Sequence, residues 1–325
     1  MPFAIGRCLA AIAALLAALS PAAAQQYPSR NIMLVVPNPA GGSVDLVARA
    51  VADTMSKSLG QTVVVENRAA GASGTVASRQ VARSAPDGYT LLLGYTGNLG
   101  TGPSLYRNVG YEPRRDFAAI GLIASAPSLV LAHPSISAQD PRELIALMKA
   151  AAKPYQVGSP GTGSVNYLTA EIFAERAGVK IQQIPYKGSH NMMTDLIGGH
   201  IKLGFSPIPV SRAAIESKLV RALAVTSLRR SSFMPDLPTV AEAGLAGFDA
   251  VLTYGLVAPA GTPRAIVERL NAAMKAALAS EMVGRRLVQD GAEPMPGTPE
   301  EHAAVIDREA TEWAAAVKLA GLQPQ

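Results

Sequence analysis

The sequence predicts an α/β protein of two lobes, with a chain that leaves the first lobe and later returns to it. Three observations predict this. Short continuous apolar runs alternate with amphipathic stretches over Ile32 to Leu93, a second alternation of the same kind runs over Gln139 to Thr226, and each unit carries a glycine-bearing loop between a strand and a helix.

Residues 1–24 read as a signal peptide, with a basic n-region at Arg7, an apolar core from Cys8 to Ser20 and the small residues Ala22, Ala23 and Ala24 before the expected cleavage point. That apolar core is too short to span a bilayer, and Cys8 lies ahead of it, which argues against a lipoprotein. The chain is therefore expected to be exported to the periplasm. Cys8 is the only cysteine, so the mature chain has no disulfide, thiol nucleophile or thiolate metal site. A mature length of roughly 300 residues suits two domains stabilised by their cores. The net charge of +5 becomes +4 without Arg7, and the basic pairs Arg114-Arg115, Arg229-Arg230 and Arg285-Arg286 stand apart with few aromatics near them. Nucleic acid is thus not an expected partner, whereas a mild positive field favours small anions.

In the mature chain, Ile32 to Val36 is a short buried strand that Pro37 and Pro39 end. Gly41 and Gly42 follow, and Ser43 or Asp45 is placed to cap a helix reaching Leu59, so anything bound there meets backbone N–H groups at a helix N-terminus. Thr62 to Glu66 is a strand, Thr75 to Ser84 a helix and Tyr89 to Leu93 a third strand, which makes a parallel sheet. The segment Gly94 to Gly102 is a glycine-rich loop at the carboxyl end of that strand, either a ligand loop or a long flexible connection.

From Ile120 to Ala132 the chain reads as extended, interrupted by Ser125 to Ser128. The second alternation then has a helix from Gln139 to Ala152, a strand from Tyr155 to Gly158 and a helix from Ser164 to Ala177. A strand from Lys180 to Ile184, a helix from Asn191 to Ile197 and strands Ile201 to Phe205 and Val220 to Thr226 follow. Ala250 to Ala258 is extended and helices fill most of the rest. The simplest arrangement places residues 25–124 and 250–325 in a discontinuous first lobe and 125–249 in the second, with two linking strands as a hinge. The loop Ser159 to Val165 repeats the logic of the opening loop, with Gly161, Thr162 and Gly163 ahead of Ser164 as a helix cap. Two such loops, one per lobe, would aim two helix N-termini at one anion.

Catalytic patterns are weak. His133, His190, His200 and His302 are dispersed without metal-ligand spacing, and no G-x-S-x-G elbow, G-x-G-x-x-G fingerprint or Walker A loop is present. No catalytic residue, metal or cofactor is expected. Asp45 and Asp195 read as helix-start acids before they read as acid–base groups.

Seven motifs in register then resemble one family. They are Val36-Pro-x-Pro-Ala-Gly-Gly-x-x-Asp45, Glu66-Asn-Arg68, Pro86-Asp-Gly-Tyr-Thr-Leu91, Gly161-x-Gly-Ser164, Pro185-Tyr-Lys-Gly188, Pro238-Thr-x-x-Glu-Ala-Gly244 and Ala258-Pro-Ala-Gly-Thr-Pro263. From about Tyr27 to Leu322 the chain resembles the Bug family, the extracytoplasmic solute receptors of tripartite tricarboxylate transporters. The resemblance implies a type II periplasmic binding protein fold, in which two α/β lobes joined by a two-strand hinge close over a small carboxylate. Carried over, the ligand residues are Pro39, Ala40, Gly41, Gly42, Ser43 and Asp45 in the first loop and Ser159, Gly161, Thr162, Gly163, Ser164 and Val165 in the second. A third loop contributes Tyr95, Thr96, Gly97 and Asn98. Two positions depart from the family pattern: Tyr167 stands where a histidine is usual, and Ser206 where an aspartate is usual. The implied function is capture of a di- or tricarboxylate, an amino acid or an aromatic acid, and delivery to integral membrane transporter subunits, with a monomer suiting a receptor that must close and dock. A sensor that presents the ligand to a signalling partner, and an exported hydrolase using the same cleft, are the alternatives.

Overall fold

The computed structural model describes residues 27–324, so the expected signal segment lies outside it. The first unit runs β1 (Ile32–Val36), α1 (Ser43–Leu59), β2 (Val63–Asn67), α2 (Thr75–Ala82) and β3 (Thr90–Tyr95). β1 lies between β2 and β3 and is parallel to both, with Leu34 opposite Val65 and Leu91. Both faces of β1 are covered, as its unbroken apolar run requires: Leu34 joins a core with Val47, Val51 and Met55 of α1, and Val35 joins one with Val81 and Phe117 on the other side. α1 ends at Gly60, whose φ of +72° belongs to the left-handed region that glycine enters without strain.

β4 (Phe117–Ala132) is a single strand of 16 residues, where a break at Ser125 to Ser128 was expected. It then leads into α3 (Pro141–Ala150), β5 (Tyr155–Ser159), α4 (Val165–Ala177), β6 (Ile181–Pro185), α5 (Ser189–Ile197), β7 (Leu203–Pro207), α6 (Ile208–Glu216) and β8 (Arg221–Val225). β5 is parallel to β6 and β7, whereas β4 meets β7 and β8 antiparallel. Helix α6 has no counterpart in the sequence reading, because its buried face is only Ile208, Ser211 and Ala214 and prolines flank its start. Phe173 packs against Phe205 and Phe248 to centre the second core, with ring centroids 5.7 Å and 6.4 Å apart.

The chain returns through β9 (Val251–Pro259), which is antiparallel to both β3 and β4. β4 pairs with β9 as far as Pro127 and with β7 from Ser128 onward, so one strand runs through both sheets. Pro127 is tolerated inside it because its partner, Val251, is the first residue of β9 and the missing N–H falls where the ladder changes hands. Helices α7 (Arg264–Leu278) and α8 (Glu281–Gln289) cover the first sheet, and β10 (Glu293–Pro294) adds to β4. The last helix, α9 (Pro299–Leu319), starts with a reciprocal cap in which Thr298 and Glu301 bond each other's backbone N–H. Its side chains divide between the lobes: Ile306 packs with β1 and β3 residues, while Trp313, Ala316 and Val317 belong to the core around Phe173. Among the described residues no helix is long and apolar enough to cross a membrane.

Candidate ligand-binding site

The first loop is built around a buried carboxylate. Asp45 is only 2 % exposed, and its Oδ2 accepts the Gly41 N–H at 2.8 Å. Its Oδ1 accepts Asn67 Nδ2 at 2.9 Å, and Arg49 Nε lies 2.9 Å from both oxygens. Burial alone would raise the acid, but the donors from Arg49, Gly41 and Asn67 outweigh it and hold Asp45 below the usual carboxylate range. The expectation that Ser43 or Asp45 caps α1 is therefore corrected: Gly42 takes the cap position with no side-chain bond, and Asp45 turns back to pin the loop at Gly41. Pro39, Ala40, Gly41, Gly42 and Ser43 are exposed. Among the described residues the N–H groups of Ser43, Val44 and Asp45 have no acceptor, as the first turn of a helix dictates.

The second loop follows the expected plan more closely. Ser159 is fully buried and donates its hydroxyl to Gln183 Oε1 at 3.2 Å. Gly163 adopts φ +71°, and Ser164 caps α4 by accepting the Tyr167 N–H at 3.2 Å. The N–H groups of Val165 and Asn166 have no acceptor among the described residues, and the Asn166 amide donates to Ser128 Oγ at 2.7 Å. Gly161 and Tyr167 are partly exposed and Thr162 is exposed. The Tyr167 hydroxyl is raised, first by burial and then by the charge of Glu171.

The third loop is not a flexible connection. Thr96–Thr101 forms one wide helical turn with every residue buried. Asn98 spends its side chain inside the lobe, accepting the Tyr95 N–H and donating to Ser78 Oγ, both at 2.8 Å. Thr96 bonds Thr253 and Glu309, and Gly97 leaves room for the Tyr95 ring, which lies 2.2 Å from where a Cβ would stand. Tyr95 alone in this set is partly exposed, its hydroxyl pushed up to about 12 mainly by burial.

Between the lobes lies a cavity of about 340 Å³. Its floor is the pair of hinge strands, at Ala126, Pro127 and Ser128 on β4 and Leu252 and Tyr254 on β9. Ser43, the first residue of α1, and Val165 and Asn166, the first two of α4, all line it. The sequence-predicted set thus meets the cavity through Ser43 and Val165, and the remaining loop residues, with Tyr167, stand outside its lining. Ser206 is wholly buried one residue before the lining Pro207, and its hydroxyl has no partner among the described residues. The lobes touch on either side of the cavity: a Cβ on Gly291 would meet Pro209 Cγ at 2.4 Å, and one on Gly163 would meet the Leu105 side chain at 3.1 Å.

Sequence reasoning did not single out Asn166, Tyr254 or the wall Leu46, Pro209 and Val210. The motif Ser125 to Ser128 was read as an interruption near which the chain leaves the first lobe, and Ala126, Pro127 and Ser128 line the cavity where β4 passes from β9 to β7. A larger groove of about 530 Å³ lies between α4 and α9, lined by Ile172, Arg176, Ala316 and Leu319, and none of the three loops reaches it. Among the described residues no three histidine, cysteine or acidic side chains cluster as metal ligands.

Comparison with known proteins agrees with this architecture. Residues 47–322 match the family described as the tripartite tricarboxylate transporter family receptor. The chain is 37 % identical over 303 residues to the protein BugT of Bordetella pertussis, covering 93 % of both. It resembles the solved periplasmic binding protein BugD at 39 % identity and a TM-score of 0.70, covering 92 % of this chain and all of BugD. It also resembles the R. palustris protein Rpa4515, solved with adipate, at 35 % identity and a TM-score of 0.74, with 92 % of this chain and all of that one covered. With the fold and these relatives in agreement, the chain belongs to the tripartite tricarboxylate transporter receptor family and has the two-lobed periplasmic binding protein fold of the Bug receptors.

Proposed function

We propose that the chain is an exported receptor that captures a small carboxylate between its lobes and delivers it to integral membrane subunits of a tripartite transporter, without catalysing a reaction. The observation that carries this reading is that the first residues of two helices, one from each lobe, line one cavity. Each helix start carries roughly half a positive charge and N–H groups without acceptors, which suits a carboxylate. Bonds from such donors to an anion contribute about 1.5–3 kcal/mol each. The ligand residues in this reading are Pro39 to Ser43 with Asp45 as the loop's internal anchor, Ser159 to Val165, and Tyr95 to Asn98 beneath them, with Tyr167 and Ser206 tuning the surroundings. The lobes divide near residues 124 and 250, α9 being shared. A ligand that touches both lobes favours the closed arrangement by its differential affinity for it. The adipate-bound relative supports the ligand class.

A thermal-shift screen of the mature protein against small carboxylates and their amides tests the reading, since a ligand that binds only the folded state raises the midpoint. Shifts with acids that vanish with amides are expected. Gly42 is the site for the companion variant, because its φ of −77° accepts a side chain and the nearest atom to a Cβ there is Pro39 O at 3.4 Å. Gly42→Leu is expected to fold and to lose the acid-dependent shift.

A further inference from the structure

The lysines of this chain are set apart from its arginines. Arginines outnumber lysines 20 to 9, and every ion pair among the described residues is made by an arginine. Four lysines nevertheless gather at one end of the second lobe. Lys149 lies in the last turn of α3, Lys153 between α3 and β5, and Lys180 and Lys202 immediately before β6 and β7. The three strands are parallel, with Tyr155 opposite Ile181 and Val157 opposite Leu203, so their starts share one end of the sheet.

Lys149, Lys153 and Lys180 line a hollow of about 250 Å³, and Lys153 and Lys202 line one of about 530 Å³ that shares Ala151 and Pro154 with it. Among the described residues no acid and no arginine lines either hollow. Glu171 and Glu175 border the face beside Lys180, through a neighbouring hollow on the α4 side. Helices α3 and α4 end here, and their C-termini carry about half a negative charge each, so one lysine suffices to answer both. Lys202 Nζ and His133 Nε2 stand 3.2 Å and 3.1 Å from where a Cβ on Gly199 would be, and the Lys202 charge adds to the burial that lowers the His133 imidazole.

None of the four lysines lines the ligand cavity. The second loop leaves the opposite end of β5, about 13 Å away along the strand, so a body seated on the lysines leaves that loop uncovered. The make-up of the face selects its partner. Protein interfaces favour arginine and aromatic anchors and are depleted in lysine, whereas these two hollows hold lysine alone as their cation and Tyr155 as their one aromatic. Compact ammonium groups on flexible stems, spread over the starts of three strands and the end of a helix, suit many mobile headgroups better than one fixed ion. We propose that this face of the second lobe is a docking surface for an anionic lipid bilayer, which holds the receptor at the membrane by electrostatic attraction whatever ligand its cleft contains.

Flotation of the mature protein with vesicles tests this. At low salt, vesicles of phosphatidylcholine and phosphatidylglycerol in equal parts are expected to carry at least about tenfold more protein than vesicles of phosphatidylcholine alone, and to release it as salt rises to roughly 0.5 M. Each lysine near such a surface is worth about fivefold in partitioning, so Lys153→Glu with Lys180→Glu is expected to lose at least about twentyfold. Lys57→Glu with Lys275→Glu makes the same change of net charge on α1 and α7 of the first lobe and is expected to lose less than about threefold. Equal carriage by the two kinds of vesicle overturns the proposal, and so do equal losses in the two double variants, which would reduce the effect to net charge. Binding to polyglutamate without binding to the vesicles also overturns it, in favour of an acidic protein partner. If the reversed pair does not fold, Lys153→Gln with Lys180→Gln takes its place and must lose at least about fivefold. Every one of these outcomes leaves the carboxylate reading of the cleft untouched.

Discussion

Glu309 on the last helix accepts a 2.6 Å hydrogen bond from the hydroxyl of Thr253 on β9, and the same oxygen accepts one from Thr96 at the start of the third loop. One carboxyl group therefore joins the hinge, the loop beneath the cleft and the helix that both lobes share. It is 5 % exposed, and burial pushes it up to about 7 despite the two threonines and Arg308, with Glu312 adding to the rise.

That position gives a pH dependence with a definite sign. Folded Glu309 holds its proton more tightly than the unfolded chain, so its contribution to stability is full below about pH 4.5 and is lost as pH rises to about 7. His302 opposes it. Buried against Gly255 and driven down to about 4 chiefly by burial, His302 adds stability as pH rises from about 4 to 6.5. Glu309→Gln keeps an acceptor for both threonines and removes one side of this balance. Its unfolding free energy should climb between pH 4 and 6.5 and should at least equal that of the parent protein above pH 7. Denaturant titrations across that range check this, and a variant that follows the parent profile would refute it.

Asp45→Ala removes the acceptor for Gly41, Asn67 and Arg49 together. Because Arg49 is half exposed, most of the loss comes from the two neutral donors, about 1–3 kcal/mol in all. The first loop should lose its shape, and carboxylate affinity should fall more than stability does. Binding and unfolding measured side by side distinguish this from a general loss of fold.

Gly255→Ala would set a methyl group 2.4 Å from His302 Cε1 and 2.8 Å from the Gly121 carbonyl oxygen. Both neighbours are fixed in the first lobe, so a loss of about 1–3 kcal/mol is expected, visible as a lowered melting midpoint. No loss would mean that the β4 and β9 pair is more pliable than its packing indicates.

Glu293 clasps the two lobes. Its carboxylate accepts from Ser231 Oγ at 2.7 Å and from the N–H and hydroxyl of Ser232, both at 2.8 Å. Glu293→Ala should widen the ligand-free particle in small-angle scattering and weaken folding by about 1.5–3 kcal/mol, with saturating ligand restoring the compact form.

Ser206→Asp places an acid at a wholly buried site beside the cavity. With no lysine, arginine or histidine lining the cavity among the described residues, the new carboxylate should lower affinity for acids by about tenfold and leave any binding of amides unchanged. Parallel acid and amide titrations read that difference.

The strands and helices were legible where periodicity is strong. Leu34 and its neighbours read as a two-faced buried strand, and Ser164 read correctly as a cap because its hydroxyl and the glycine before it specify one backbone turn. α6 was not, since a face of Ile208, Ser211 and Ala214 carries too little apolar contrast to register. The loops could be located but not their internal bonds: Asp45 and Gly41 are four residues apart, and whether the acid turns toward a ligand or back to Gly41 depends on Asn67, which arrives from another strand. The cavity lining was invisible for the same reason. Leu46, Pro127, Pro209 and Leu252 are distant in the chain and meet only once β4 passes from β9 to β7.

The division of α9 between the lobes has a practical corollary. Trp313, the chain's sole tryptophan, is 3 % exposed and sits within the Phe173 core. Its Cδ1 lies 2.9 Å from where a Cβ on Gly100 would stand, against the buried turn of the first lobe. The indole thus straddles the seam between the lobes, and under the proposed closure its fluorescence should change with ligand, an optical gauge that needs neither label nor mutation.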